Sequence, residues 1–193
     1  MIDLLLDSSN IDLSVGLAKD GKVFDYTSYE AWQCQSEYMI QEIDKLLTKH
    51  NITRQDISGV IVNIGPGSYT GIRISLTIAK VMCLALNIPL YALSSLRALQ
   101  KGLEPSICLM NARSNRSYIG VYSDEVIMAD QVMTNDEVKA YIASHPNYVI
   151  CGETTYLGIE GHKNNIIEEM NLLKGKATKY DDSLGVKPVY LKD

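Results

Sequence analysis

The sequence predicts an α/β protein that opens with a three-strand antiparallel meander. Three observations carry this reading. Leu13, Val15 and Leu17 alternate with polar or small residues, and Asp20-Gly21 then leads into Val23, Phe24 and Tyr26. Between Gln33 and His50 the apolar spacing lengthens to three and four, the period of a helix. Residues 60–64 form a short β-branched run flanked by glycines, as expected for a buried strand.

The elements follow in order. Residues 2–7 are an apolar run stopped by Ser8-Ser9-Asn10, good turn chemistry. Asp-Gly between two alternating runs is a strong hairpin signal, which joins the second and third strands. The helix over 33–50 turns Met39, Ile40, Ile43, Leu46 and Leu47 toward a core. Residues 72–78 alternate strictly, which argues for a strand, but the run from Ala79 is rich in helix formers. About 16 residues without a breaker is long for a strand, so the segment is read as a helix ended by Asn87 and Pro89. Residues 90–93 are a strand, and Ser94-Ser95 cap a helix ending near Gly102.

A second region follows. Strands over 107–110 and 118–122 are joined by the polar turn 111–117, and 126–128 is a weaker third strand. Thr134 or Asn135 caps a helix with Val138, Tyr141 and Ile142 on one face, closed by Pro146. A strand over 148–150, a helix over 164–173 and a closing segment over 189–191 complete the chain. The organisation predicted is a first domain over 1–102 and a smaller second one over 103–193.

Composition narrows the function classes. The 193 residues are 46% hydrophobic and 21% charged, an ordinary globular balance. The longest unbroken apolar run, 81–86, is far below the roughly 20 residues of a membrane span. No basic segment precedes an apolar stretch at the start, so the expectation is a cytoplasmic protein without a membrane. Acidic residues outnumber basic ones 23 to 18, for a net charge of −5. A chain of that balance is expected to meet RNA only beside a more basic partner. Cys34, Cys83, Cys108 and Cys151 form no CxxC pair, and His50, His145 and His162 lack ligand spacing, so no metal is expected. No GxSxG elbow is present.

The most informative stretch is Gly65-Pro66-Gly67-Ser68-Tyr69-Thr70-Gly71-Ile72-Arg73, between a buried strand and a helix start. Such a loop can aim amides and a helix dipole at an anion. It can equally be a tight turn in which Ser68 or Thr70 caps the helix. It is not a Walker loop, since no Gly-Lys-Ser/Thr follows. Asp7-Ser8-Ser9 ends the first strand, either as a site or as a plain hairpin turn. Arg113 and Arg116 form a small basic feature, while Glu168-Glu169 and the loop around Gly158 and Gly161 read as solvated surface.

Wound as a helix, residues 70–86 show a narrow polar stripe of Arg73, Thr77 and Lys80. The remaining arc is far wider than the roughly 100° a surface helix needs. One stripe is Ile74, Ile78, Val81 and Ala85, the other Ile72, Leu76, Ala79, Cys83 and Leu86. One should pack on the chain's own sheet, and the other should remain uncovered unless a partner meets it.

Several of these stretches in order resemble the TsaB (YeaZ) family: Asp7-Ser8-Ser9, the 65–73 string, Pro89-Leu-Tyr-Ala-Leu-Ser-Ser-Leu96, Asn111-Ala112-Arg113, and Pro188-Val-Tyr-Leu191. The resemblance is strong over 1–100 and patchy over 101–193. It implies an actin-like ATPase (ASKHA, ribonuclease H-like) fold of two related lobes, the second shortened. In that superfamily an acidic residue and small polar residues at the position of Asp7, Ser8 and Ser9 handle phosphate and metal, so these three would be a vestigial phosphate-type loop.

The function implied is that of a non-catalytic activator in the synthesis of N6-threonylcarbamoyladenosine beside the anticodon of tRNA. The partners implied are a TsaD-like catalytic subunit, a TsaE-like ATPase, a second copy of the chain when alone, and tRNA through the complex. No cofactor is required, with weak ATP or ADP binding in the complex. The partner-binding residues implied are Ile72, Ile74, Leu76, Ile78, Ala79, Val81, Met82 and Cys83. TsaD-type chains carry two histidines at helical spacing, whereas the helix over 33–50 has only terminal His50. Asn111 stands where the family has an acid. The alternative reading is an independent ASKHA-type phosphotransferase acting on a small metabolite.

Overall fold

The computed structural model describes residues 1–191. The expected meander is β1 (Ile2–Asp7), β2 (Asp12–Lys19) and β3 (Lys22–Glu30), all antiparallel. α1 (Gln35–Lys49) then crosses to β4 (Ile57–Asn63), which lies parallel to β1 on its free side. α2 (Tyr69–Leu86) crosses in turn to β5 (Leu90–Leu93), parallel to β4. The second half repeats the plan: an antiparallel meander of β6 (Ser106–Arg113), β7 (Arg116–Tyr122) and β8 (Val126–Thr134), the helix α3 (Asn135–Ser144), and β9 (Val149–Gly152) parallel to β6.

The order β3-β2-β1-β4 in one sheet therefore matches β8-β7-β6-β9 in the other. This is the ribonuclease H-like, actin-type fold, with a second lobe that stops one helix and one strand short of the first.

The central strands read as continuous apolar runs because both faces of the first sheet are covered. Leu4, Leu6, Val60 and Val62 face one core, with Met39, Ile43, Leu76 and Ala79 from α1 and α2. Leu5 and Ile61 face the opposite core, where α4 (Ile166–Leu172) brings Ile167 and Met170, with Leu173 just beyond. The chain thus returns from the second lobe to the first. β10 (Thr178–Tyr180) pairs antiparallel with β5, and the Val189 amide donates to the Ile64 carbonyl at 2.7 Å. The division at 102/103 is corrected accordingly: from α4 onward the chain packs on the first sheet.

Three further expectations change. The helix expected after Ser94-Ser95 is a single 3-10 turn, Arg97–Leu99, although Ser94 does cap it by accepting from the amides of Leu96 and Arg97. Gln100 is already extended and Gly102 adopts a positive φ of 54°, so the turn does not propagate. The weak strand at 126–128 runs on to Thr134, as an edge strand whose polar residues hid it. Ile40 is 52% exposed, so α1's buried stripe is Met39, Ile43, Leu46 and Leu47.

By length and composition α2 would reach across a bilayer, with 18 residues at mean hydropathy 1.4. Its inner side is nonetheless packed on the sheet through Ile72, Leu76, Ala79 and Cys83. Its ends are fixed by a Ser68 cap and a left-handed Asn87.

Candidate functional site

The 65–73 loop is where distant segments of the chain converge. Ser68 caps α2, its hydroxyl accepting from the Gly71 amide at 3.2 Å. Gly65 has a φ of 113°, and a Cβ there would collide with the Val189 carbonyl. Its amide donates to the Ser95 hydroxyl and its carbonyl accepts from the Ser95 amide. Gly67, with a φ of 150°, lies against the Ser9 carbonyl, and Gly71 against that of Ser8. The Ser68 amide donates to the Ser9 carbonyl at 2.7 Å, and the Ser8 hydroxyl to the Gly71 carbonyl at 2.7 Å. Glycine is required at these three positions because backbone meets backbone there without room for a side chain. The structure therefore joins Asp7-Ser8-Ser9, the glycine loop, Ser95 and Val189 into one unit.

The outer edge of that unit is an aromatic–cation stack. Tyr69 and Tyr190 stack at 4.9 Å, and the Arg73 guanidinium lies 3.8 Å from the Tyr69 ring centre. Arg73 Nε donates to the Tyr190 hydroxyl at 2.8 Å. The closing segment is thus pinned to the start of α2, worth about 1 kcal/mol for an exposed contact of this kind.

Asp7 sits at the base of the unit, 3% exposed. Its Oδ1 accepts from Asn63 Nδ2 at 2.9 Å and from the Ser9 amide at 3.2 Å. Burial raises its pKa, and Asn63 together with the side chain and amide of Ser9 offsets the rise only in part. Asp12 is also raised, first by burial and then by Glu30, its cross-strand neighbour. Asn63, the side chain that orients Asp7, lies inside the run 60–64 read as a buried strand, and nothing in that run marks its amide as the partner of Asp7. Among the described residues no group of three or more His, Cys, Asp or Glu side chains is placed to hold a metal ion.

The structure also separates the two stripes of α2. Ile72, Leu76, Ala79 and Cys83, expected among the partner-binding residues, are at most 3% exposed and belong to the chain's own core. They are closed to any partner. Ile74, Ile78 and Met82 are half-buried, and Val81 and Leu84 are each 60% exposed. Between α1 and α2 runs an apolar groove of about 410 Å³ that includes Ile40, Ile78, Val81 and Ala85. Asp44 and Arg54 form an ion pair at 2.8 Å on its rim.

Arg113 projects from the β6–β7 turn, where Arg113, Ser114 and Asn115 all adopt positive φ. It reaches the cleft between the lobes, across from Ser9 and the start of α2.

Comparison with known proteins agrees with this geometry. A family model described as "TsaD: tRNA N6-adenosine threonylcarbamoyltransferase" matches residues 30–150. A Mycoplasma genitalium protein described as "Uncharacterized protein MG208" is 32% identical over 180 residues, 91% of this chain and 86% of that protein. The tRNA threonylcarbamoyladenosine biosynthesis protein TsaB of Bacillus subtilis is 33% identical over 145 residues, 72% of this chain and 62% of that one. YeaZ from Pseudomonas aeruginosa superposes with a TM-score of 0.81 at 20% identity, over 98% of this chain and 99% of that one.

Proposed function

We propose, on the premise that this chain belongs to the TsaB (YeaZ) family, that it serves N6-threonylcarbamoyladenosine synthesis on tRNA as a non-catalytic scaffold. It binds and activates the TsaD-type enzyme that transfers threonylcarbamoyl from threonylcarbamoyl-adenylate to the adenosine beside the anticodon. The observation that carries this reading is the uncovered apolar face of α1 and α2. It lies within residues 30–150, the segment that itself resembles TsaD.

A TsaD-type chain built on the same plan presents an equivalent helix pair. Two like helix pairs can then meet face to face about a pseudo-twofold axis, burying Ile78, Val81 and their neighbours on both sides. By the same symmetry the face closes a homodimer when the chain is alone. The TsaE-like ATPase joins this assembly in the cytoplasm. With 23 acidic residues against 18 basic ones, tRNA is held through the complex.

The non-catalytic role is supported by residue chemistry. α1 contains no histidine, His50 following only at its C-terminal end. The loop around Asp7 is spent on holding the glycine loop, both serine carbonyls facing its backbone. No cofactor is needed for such a role, and ATP or ADP, where held, is held weakly. The experiment is co-purification with the TsaD-type chain of the same genome. The wild-type chain should associate and Ile78→Glu should not, while both stay folded by circular dichroism. Association undiminished by Ile78→Glu would rule this face out.

A further inference from the structure

The second lobe holds a pair of thiols that scaffolding does not use. Cys108 on β6 and Cys151 on β9 stand directly opposite each other in the parallel pairing of the two strands. Main-chain bonds pin that register on both sides. The Val149 amide donates to the Pro105 carbonyl at 2.9 Å, and the Glu153 amide to that of Leu109 at 2.9 Å. Gly152, with a φ of 91°, permits the close approach, since a Cβ there would collide with the Leu109 carbonyl. Residues opposite in register project from the same face of a sheet, and neighbouring strands lie about 4.7–4.9 Å apart. A disulfide spans roughly 4.4–6.8 Å between Cα atoms, so the backbone already has the spacing of one. Both residues are thiols in this structure, and Cys108 donates its S–H to the Cys151 sulfur.

The two sulfurs differ in character. Burial first, and then this bond, push the Cys108 thiol up. The same bond, helped by Ser106, holds Cys151 below the ordinary cysteine value despite its burial. Cys151 is therefore the readier thiolate. The other two cysteines lie in the first lobe: Cys83 is pushed up to about 12 by burial, and Cys34 precedes α1. Both members of the pair are 0% exposed, so access depends on β9. That strand has four residues and lies at the edge of its sheet. On its far side the described residues give only a single bridge, from Cys151 to His162. A short edge of this kind can open locally while the rest stays folded.

We propose that Cys108 and Cys151 form a reversible dithiol–disulfide site, oxidised by hydrogen peroxide, that locks the second lobe. The Cys151 thiolate attacks one peroxide oxygen and the O–O bond breaks. The hydroxide released takes the Cys151 proton to become water, and Cys151 is left as a sulfenic acid. The Cys108 sulfur then displaces the sulfenic oxygen, which leaves as a second water carrying the Cys108 proton. Two electrons pass from the thiols to the peroxide and one S–S bond forms. The chain between the two cysteines carries β7, β8 and α3, so the bond closes a loop around most of the lobe. The site is independent of the α1–α2 face.

The test is made on the full, reduced chain. It is treated with hydrogen peroxide, alkylated in denaturant, digested and analysed by mass spectrometry. The Cys108 and Cys151 thiols should be lost together, ahead of Cys34 and Cys83, and their peptides should be joined by a bond that dithiothreitol cleaves. The cross-linked chain should melt at a higher temperature than the reduced one. In Cys108→Ser, dimedone should label Cys151 as the sulfenic acid. All four thiols still open to alkylation, at peroxide levels that oxidise free cysteine, would overturn the proposal. So would earlier loss of Cys34 or Cys83, a link that forms only in the urea-unfolded chain, or a cross-linked chain that melts no higher.

Discussion

The main-chain carbonyl of Ser9 lies against Gly67, where a Cβ would collide with it, and accepts the Ser68 amide at 2.7 Å. The turn after β1 and the loop before α2 therefore set each other's position. Gly67→Ala adds a side chain at a φ of 150° as well as a clash. It should cost about 2–3 kcal/mol, read as a lower denaturant midpoint. A midpoint like that of the wild type would show that the two loops do not depend on one another.

Leu76 and Ile78 sit on opposite sides of α2. Leu76 is 3% exposed and part of the core, so Leu76→Glu buries an unpaired charge and should abolish cooperative unfolding. Ile78 borders the α1–α2 groove, and Val81 is 60% exposed. Ile78→Glu and Val81→Glu should stay folded by circular dichroism and change only association.

Asp7 gives a pH dependence whose sign can be worked out. Its pKa is raised above the ordinary 3.8, chiefly by burial. The folded chain therefore holds the Asp7 proton more tightly than the unfolded chain does. This contribution to stability is fully present below pH 3.8 and is lost as pH rises through the raised pKa. Asn at this position keeps an acceptor for Asn63 Nδ2 and Ser9 N without the buried charge. Asp7→Asn should therefore be as stable as the wild type or more so at pH 7, with the difference shrinking below pH 4. Paired urea titrations at the two pH values measure this, and a strongly destabilised variant at pH 7 would mean that the carboxylate has a positively charged partner.

Contacts around Ser94 tie the lobes together. Ser94 caps the 3-10 turn after β5 and donates at 2.5 Å to Asp130 on β8, which also accepts from the Tyr122 hydroxyl. Asp130 is raised by burial, with both donors and Arg97 opposing the rise. Ser94→Ala removes the cap and leaves Asp130 one donor short, for a loss of about 1–2 kcal/mol. Hydrogen exchange should rise in β7 and β8 before it rises in β1 and β4.

Much of the first lobe was legible because its signals are local. Leu13, Val15 and Leu17 with Asp20-Gly21 announce the hairpin, and Met39, Ile43, Leu46 and Leu47 announce α1. The wheel of α2 showed two apolar stripes but could not say which faced inward, since that depends on where β1 and β4 lie. β10 escaped notice because three residues, Thr178–Tyr180, on a sheet edge carry no periodicity. The return of α4 to the first sheet escaped for a different reason. Ile167 and Met170 fit any apolar face, and only the paired strands show which lobe offers it. The site was legible as separate motifs and not as a unit, because Asp7, Gly65, Ser95 and Val189 meet only in three dimensions.

The central claim is that the outer face of α1 and α2 lets this chain activate a catalytic relative without catalysis of its own. The most direct measurement is threonylcarbamoyladenosine formation on tRNA by the TsaD-type enzyme and TsaE-type ATPase of the same genome, supplied with threonylcarbamoyl-adenylate. The wild-type chain should be required, inactive by itself, and replaceable by Asp7→Asn but not by folded Val81→Glu. Full modification with Val81→Glu, or without the chain at all, would contradict the account.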